Sequence, residues 1–216
     1  MSRESVNGVI GFVKTVMSDQ KRPYRMKRRA ELEEQTRQRI TESAATLHTV
    51  LLGPARTTMG AIAEHAGVRR STVYRHFPDE ESLFAACSSH WSAANPPPEL
   101  ESWTAIADPR VRTEAALGEL YAYYRGTQRA YEHLLRDEEL VPSVKRLMAG
   151  YHDYLAAARD VLIAGRGLRG RAAHRTRAAI GHALAFATWR SLTQEQGLTD
   201  AEAVAQMSML VEGSAG

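Results

Sequence analysis

The residues best placed to act on another molecule lie in the stretch TTMGAIAEHAGVRRSTVYRHF, residues 57–77. Two short segments with helical apolar spacing flank a turn at Gly67, which can adopt the left-handed conformation that stops a helix. Arginine can donate two hydrogen bonds to a guanine edge, while Ser, Tyr and His side chains reach bases or phosphates. The pattern predicts a helix-turn-helix whose second helix lies in the major groove of DNA. The groove-facing positions are those that packing does not need: Arg69, Arg70, Ser71, Tyr74, Arg75 and His76.

A basic arm precedes this segment. Residues 21–29 read KRPYRMKRR, and residues 21–78 carry twelve Lys/Arg against five Glu, a net charge of +7. Residues 79–216 carry a net charge of −4, so the basic charge is concentrated where a polyanion would bind. The arm is either a solvated tail or a phosphate contact, and its position before the first helix favours the contact. The expected contacts of the arm and of the first helix with the DNA backbone are Lys21, Arg22, Arg25, Lys27, Arg28, Arg56 and Thr58.

The elements that position these residues are all helical. A helix is expected to start near Lys27 and to end at Gly53-Pro54, while Pro78-Asp79 opens another that runs to about Trp91. The run Asn95-Pro-Pro-Pro98 is the best candidate for a linker. No segment shows the alternation of a strand, so the fold class is all-α. Further helices are predicted at 99–106, 109–126, 128–137, 141–164, 170–195 and 200–213.

Residues 1–20 stand apart from this organisation. Their apolar spacing permits a short amphipathic helix, although a loosely ordered extension is the preferred interpretation. The apolar stretch is short and interrupted by Lys14, unlike a signal peptide, and Met17 could be the true start. A cytoplasmic protein is expected.

Several classes of protein are excluded or disfavoured. The single Cys87 allows no disulfide framework, and no apolar run approaches the ~20 residues that span a bilayer. The eight histidines show no metal-ligand spacing, and no nucleophile pairs with a base in a recognisable motif. No cofactor, metal or catalytic residue is therefore predicted, and the protein is not expected to be an enzyme.

The N-terminal third resembles the DNA-binding domain of the TetR family of transcriptional regulators. The resemblance covers residues 27–91 and rests on Thr58, Ile62-Ala63, Ala66-Gly67-Val68, Ser71–Phe77 and Leu83-Phe84. It implies DNA contact from Thr58, Arg70, Ser71, Thr72, Tyr74 and His76. One departure is Glu80, because the family usually has a phosphate-binding Lys at this position.

The resemblance also implies an architecture. It implies a basic extension (1–26), a helix-turn-helix domain (27–78) and a helical effector-binding and dimerisation domain (79–216). The helices at 170–195 and 200–213 would form the interface of a homodimer that binds a palindromic operator. A repressor is the expected form of regulator. An unidentified small molecule would control binding.

Aromatic residues of the C-terminal region are the candidate wall of an effector cavity. Tyrosine and tryptophan combine apolar faces with a polar group, which suits a cavity between helices, although ordinary core packing explains any one of them. The predicted lining residues are Trp103, Tyr121, Tyr124, Tyr151, Tyr154, His182 and Phe186. Two other functions stay open: a helical ligand carrier or enzyme with a vestigial helix-turn-helix, and an architectural protein that binds DNA without sequence preference.

Overall fold

The computed structural model describes residues 5–215, with side chains from Tyr24 onwards, and every regular element among these residues is a helix. This confirms the all-α fold class. The α-helices are α1 (Ser5–Thr46), α2 (Met59–His65), α3 (Arg70–His76), α4 (Glu80–Ala94), α5 (Leu100–Thr104), α6 (Pro109–Asp137), α7 (Pro142–Ile163), α8 (Gly170–Leu184), α9 (Phe186–Arg190) and α10 (Asp200–Gly213). Single turns of other helix types follow α1 (Leu47–Leu51 and Pro54–Arg56) and α9 (Ser191–Glu195).

The start of α1 differs from the sequence prediction. The helix begins at Ser5 and passes through Pro23, whereas the sequence predicted a start near Lys27. Proline removes one backbone hydrogen bond from a helix interior, but the residues that follow Pro23 are mostly strong helix formers such as Arg, Lys, Met and Glu. The predicted contacts Lys21 and Arg22 lie outside the residues whose side chains are described, as do residues 1–4.

Helix α6 is one continuous element, although the sequence predicted two helices with a break near residue 127. The glycine at this point, Gly126, lies in the helix interior with open space around it. Glycine in a helix interior costs only about 1 kcal/mol relative to alanine, which packing of a long helix easily offsets. One rigid helix therefore links the interior of the C-terminal region to the segment beside the helix-turn-helix.

The segment predicted as a single helix over 170–195 is broken at Ala185, whose backbone is extended (φ −70°, ψ 134°). The break exposes carbonyls that a continuous helix would satisfy. Tyr121 Oη donates to the carbonyl of Ala183, and Tyr124 Oη donates to that of Leu184, both at 2.8 Å. These two fully buried tyrosines of α6 therefore stabilise the break with side-chain hydrogen bonds.

The core runs through the whole described chain. Its largest fully buried side chains include Phe77 in the N-terminal part and Trp103, Tyr121, Tyr124 and Trp189 in the C-terminal part. Trp103 Nε1 donates to Glu119, and Trp189 Nε1 donates to Asp200, so both buried indoles are hydrogen-bonded. The last helix, α10, starts at a capping box formed by Thr199 and Glu202, and its bounds match the prediction. No described helix is long and apolar enough to cross a membrane.

Candidate nucleic-acid interface and effector cavity

Helices α2 and α3 form the predicted helix-turn-helix. Thr58 caps α2 by accepting a hydrogen bond from the amide of Ala61 at 3.1 Å. At the turn, Gly67 has a φ of 65°, and the amide of Val68 donates to the carbonyl of Ala63. A side chain on Gly67 would meet open space, so the backbone conformation alone accounts for glycine here.

Helix α3 is fixed by the packing of its inner face and by a contact from α1. Val73 and Phe77 are fully buried and anchor its inner face. Arg37 of α1 donates to the carbonyl of His76 at 2.8 Å, and its guanidinium lies 4.2 Å from the centre of the Phe77 ring. This combined hydrogen bond and cation–π contact fixes the end of α3 against α1.

The outer face of α3 presents polar and cationic side chains to solvent. Arg70 donates from Nη2 to Tyr74 Oη at 3.1 Å, so the two side chains lie together one turn apart on this face. Thr72 is half-buried between the two faces of the helix. The structure exposes five predicted groove-facing residues together: Arg69, Arg70, Ser71, Tyr74 and Arg75.

His76 occupies a different environment from these five residues. It is half-buried, and its Nε2 atom is buried without a hydrogen-bond partner among the described residues. Burial lowers the pKa of His76 below its ordinary value, and the neighbouring Arg75 and Arg37 lower it further. His76 therefore lies neutral at the base of α3 rather than on its outer face.

The predicted contacts outside α3 are exposed where their side chains are described. Arg25, Lys27 and Arg28 lie on the exposed N-terminal part of α1, while Arg56 and Thr58 flank the start of α2.

The acidic start of α4 also has a structural explanation. Asp79 caps α4 by accepting from the amide of Ser82 at 2.7 Å, and Glu81 pairs with Arg146 of α7, while Glu80 is exposed in the first turn.

A junction that the sequence did not reveal joins the end of α6 to the chain before α2. The buried carboxylate of Asp137 accepts from the amide of Ala55 at 2.9 Å and from Arg136, and Arg136 donates to the carbonyl of Leu52 at 3.0 Å. Burial acts to raise the pKa of Asp137, but the hydrogen bonds from Arg136 and Ala55 outweigh it and hold the pKa below its usual value. Gly53 permits this close approach. We refer to residues 52–55 with Arg136 and Asp137 as the α6 junction.

A buried pair of titratable residues lies near the α6 junction. Cys87 Sγ is 3.3 Å from His48 Nδ1, and the His48 ring packs against Phe84. Burial raises the pKa of Cys87 to about 12 and lowers that of His48 to about 4. Both groups are therefore neutral at pH 7, and the thiol is in its unreactive form, as expected of a small buried side chain.

A cavity of about 240 Å³ lies between the end of α4, the following proline-rich segment, α6 and α7. Two of the residues predicted to line an effector cavity, Tyr151 and Tyr154, lie in its wall. Tyr123 and Tyr131 of α6 are also part of this wall. The full lining set is Trp91, Ser92, Asn95, Pro97, Tyr123, Tyr131, Leu134, Leu147, Met148, Gly150, Tyr151 and Tyr154.

The other predicted lining residues lie elsewhere. Tyr124 and Phe186 form the layer behind the cavity, where Tyr124 Oη is 3.0 Å from Tyr151 Oη and the Phe186 ring stacks on Tyr131. Tyr121 and Trp103 are fully buried in the core. His182 is exposed, with Nδ1 3.3 Å from Thr188 Oγ1. Among the described residues, no cluster of His, Cys, Asp or Glu has a geometry that could hold a metal ion.

Residues 50–87 include residues 52–55 of the α6 junction, the helix-turn-helix and half of α4. They match the family described as bacterial regulatory proteins, tetR family. This part of the chain is therefore similar to the DNA-binding region of that family. The matched region holds the whole of α2 and α3 with their caps. Among proteins with curated functions, none matches the chain significantly.

Solved structures share the fold over most of the chain. A transcriptional regulator from Rhodococcus sp. RHA1 is 17% identical with a TM-score of 0.53, and the match covers 83% of this chain and 98% of that one. A TetR-family transcriptional regulator from Mesorhizobium loti MAFF303099 is 21% identical with a TM-score of 0.53, covering 84% of this chain and 96% of that one. The fold of these two structures therefore covers the C-terminal helices as well as the matched N-terminal residues.

Proposed function

We propose that this protein is a TetR-family transcriptional regulator, a ligand-responsive repressor that binds a palindromic operator as a homodimer in the cytoplasm. Residues 27–78 form the DNA-binding domain, with 1–26 as its basic extension, and residues 79–216 form the effector-binding and dimerisation domain. The observation that carries the proposal is the exposed outer face of α3, which presents Arg69, Arg70 and Arg75 beside Ser71 and Tyr74. The protein is proposed to act by binding alone, without a catalytic step.

Base reading is assigned to α3 and backbone contact to its surroundings. Arg70 is the candidate for bidentate contact with a guanine, because Tyr74 holds its guanidinium on the outer face. Arg25, Lys27, Arg28 and Arg56 are assigned to phosphates, together with Lys21 and Arg22 of the extension. Thr58 and Thr72 would contact the backbone from their positions at the helix ends. The inward position of His76 supports a packing role more than a base contact.

The proposed dimer uses α8 and α10. Helix α10 exposes Met209 by 62% and Leu210 by 44%, an apolar surface that a second copy would cover. A two-fold dimer must place its two α3 helices about 34–36 Å apart, one turn of DNA, to read successive major grooves.

Two helices can carry a signal from the cavity to the helix-turn-helix. Helix α4 begins at the cap of Asp79 beside α3 and ends at Trp91 and Asn95 in the cavity wall. Helix α6 places Tyr131 and Leu134 in the same wall and ends at the α6 junction. A molecule that fits the cavity better in the form of the protein that does not bind DNA would release the operator, and its differential affinity would set the response.

The test is fluorescence anisotropy of the full chain on labelled DNA from its own upstream region, with scrambled DNA as the control, at two salt concentrations. Tight, salt-sensitive binding to the first DNA and a clear gap from the second are expected. Equal and weak binding to both would be followed by selection from random DNA. Failure to enrich any palindromic sequence would refute the sequence-specific regulator and favour an architectural protein.

A further inference from the structure

The cavity wall excludes charged ligands. None of its lining residues is Asp, Glu, Lys, Arg or His. Burial raises the pKa of Tyr123, Tyr131, Tyr151 and Tyr154, so the lining phenols carry no charge at neutral pH either. A carboxylate or ammonium group that gives up hydration against this wall finds no opposite charge, which disfavours it relative to an uncharged group.

The aromatic rings of the wall are arranged to enclose another ring. Tyr131 lies at the centre of the cluster, with its ring 4.9 Å from Tyr151, 5.9 Å from Tyr123 and 6.4 Å from Trp91 between centroids. The interplanar angles are 53°, 73° and 70°, so the rings are tilted or edge-to-face relative to one another. The wall therefore presents both ring faces and ring edges to a ligand. Aromatic ligands gain from such edge-to-face contacts beyond simple burial of area.

The phenol hydroxyls of the wall are already committed as donors. Each phenol has one hydrogen, and Tyr154 donates its own to the carbonyl of Pro98 at 2.9 Å. Tyr123 donates to the carbonyl of Asn95, so the 3.2 Å contact between Tyr123 and Tyr131 must use the hydrogen of Tyr131. The same reasoning applies behind the wall. Tyr124 donates to the carbonyl of Leu184, and Tyr151 therefore donates to Tyr124 at 3.0 Å.

This assignment leaves oxygen lone pairs without hydrogens at the cavity. The hydroxyl oxygens of Tyr131 and Tyr154 can accept a further hydrogen bond but cannot donate one without breaking a bond to the protein. At these two oxygens, a ligand group that donates gains a partner, whereas one that only accepts meets a lone pair. The volume of about 240 Å³ equals roughly eight water molecules at ~30 Å³ each, which suits one or two fused rings.

We infer that the cavity binds an uncharged aromatic molecule that donates a hydrogen bond to a wall tyrosine, the chemistry of a neutral phenol. The inference rests on the proposed ligand-responsive function and names the class of its effector. Ring stacking supplies the affinity, and the donated hydrogen bond supplies the selectivity.

The direct test measures binding to the full chain by isothermal titration calorimetry with three naphthalene probes. 2-Naphthol is a neutral donor, 2-methoxynaphthalene has the same ring without a hydrogen to donate, and 2-naphthoate is charged. 2-Naphthol should bind about tenfold more tightly than the ether, because one net hydrogen bond is worth roughly that factor, and naphthoate should bind most weakly. Equal or tighter binding of the ether, or tighter binding of naphthoate, would overturn the inference.

Matched variants assign the binding to this cavity. Gly150 lines the cavity and Gly118 does not, and a side chain on either would meet open space. Gly150→Leu should abolish 2-naphthol binding, while Gly118→Leu should leave it unchanged. Unchanged binding by Gly150→Leu would place the ligand elsewhere and refute the assignment.

A second pair of variants tests the hydrogen bond itself. Tyr131→Phe removes a wall hydroxyl, whereas Tyr121→Phe removes another buried tyrosine hydroxyl, which donates to the carbonyl of Ala183 and does not line the cavity. Tyr131→Phe should reduce the preference for 2-naphthol over the ether, and Tyr121→Phe should preserve it. A preference that survives both Tyr131→Phe and Tyr154→Phe would contradict the donor assignment.

Operator release is measured separately, by anisotropy of the protein–DNA complex with each probe. Binding of 2-naphthol without release would refute ligand control while leaving the cavity chemistry established. Specific DNA binding with no discrimination between the probes would refute the cavity chemistry while leaving the DNA-binding function in place.

Discussion

Gly53→Ala should be unusually destabilising because it acts on backbone strain and on the α6 junction together. Gly53 has φ 87° and ψ 160°, a region that residues with a side chain essentially do not populate, at a cost of about 1–3 kcal/mol. A Cβ atom there would lie 2.8 Å from Asp137 Oδ2 and 3.3 Å from His133 Cβ, so the Asp137 carboxylate must move. Its charged hydrogen bond from Ala55 is worth about 1.5–3 kcal/mol. The two effects together predict a loss of about 2.5–6 kcal/mol.

The assay is urea unfolding at fixed protein concentration, with Gly167→Ala as the matched control. Gly167 also has a positive φ, 65°, but a side chain there would meet nothing within 4 Å, so this variant reports the strain alone, about 1–2 kcal/mol. Gly53→Ala should exceed the control by about 1.5–4 kcal/mol, from the lost hydrogen bond and the larger backbone strain. Equal losses in the two variants would show that the α6 junction is not tightly packed and would refute the reasoning.

Four further outcomes are expected. Asp137→Asn keeps an acceptor for the Ala55 amide but loses the charge, and should lower the free energy of unfolding by about 1 kcal/mol at pH 7. Because folding lowers the pKa of Asp137, this difference from wild type in urea unfolding should shrink as the pH falls from the ordinary carboxyl pKa through the lowered one. Arg70→Ala should weaken operator binding by about 5- to 150-fold and relax the choice at one base pair, whereas equal weakening on all DNAs in anisotropy would mark a phosphate contact. Cys87 should react with a thiol reagent at least about a hundredfold more slowly in the native protein than in urea, and fast native labelling would contradict its burial. Deleting residues 1–26 should lower the slope of log K against log salt by about 0.9 per lost phosphate contact, and an unchanged slope would exclude the extension from the interface.

The sequence predicted the helix-turn-helix well because its signals are local. Thr58 as a cap and Gly67 at the turn depend on a few neighbouring residues, and the structure has both where the sequence placed them. The outer face of α3 followed from the apolar spacing of Val73 and Phe77, since residues that packing leaves free must face outward. His76 departs from this pattern because Arg37, which contacts its carbonyl, lies 39 positions away in the chain.

The cavity could be predicted only in part because its wall combines residues from three helices. An aromatic residue on a helix has the same local pattern whether it lines a cavity or fills the core, so Trp103 and Tyr121 could not be separated from Tyr151 and Tyr154. The α6 junction left no signal at all, because Asp137 and Ala55 are 82 residues apart.

The hydrogen bonds of Tyr124 bear on how steeply effector binding would depend on effector concentration. Its hydroxyl joins Tyr151, in the cavity wall, to the carbonyl of Leu184 at the end of α8. A ligand that changes the hydrogen bond of Tyr151 therefore reaches the break between α8 and α9 through a single side chain. In the proposed dimer, α8 would be part of the surface shared by both copies, so filling one cavity would alter the affinity of the other. Effector binding would then depart from independent binding, with a Hill coefficient that differs from one and does not exceed two, the number of sites.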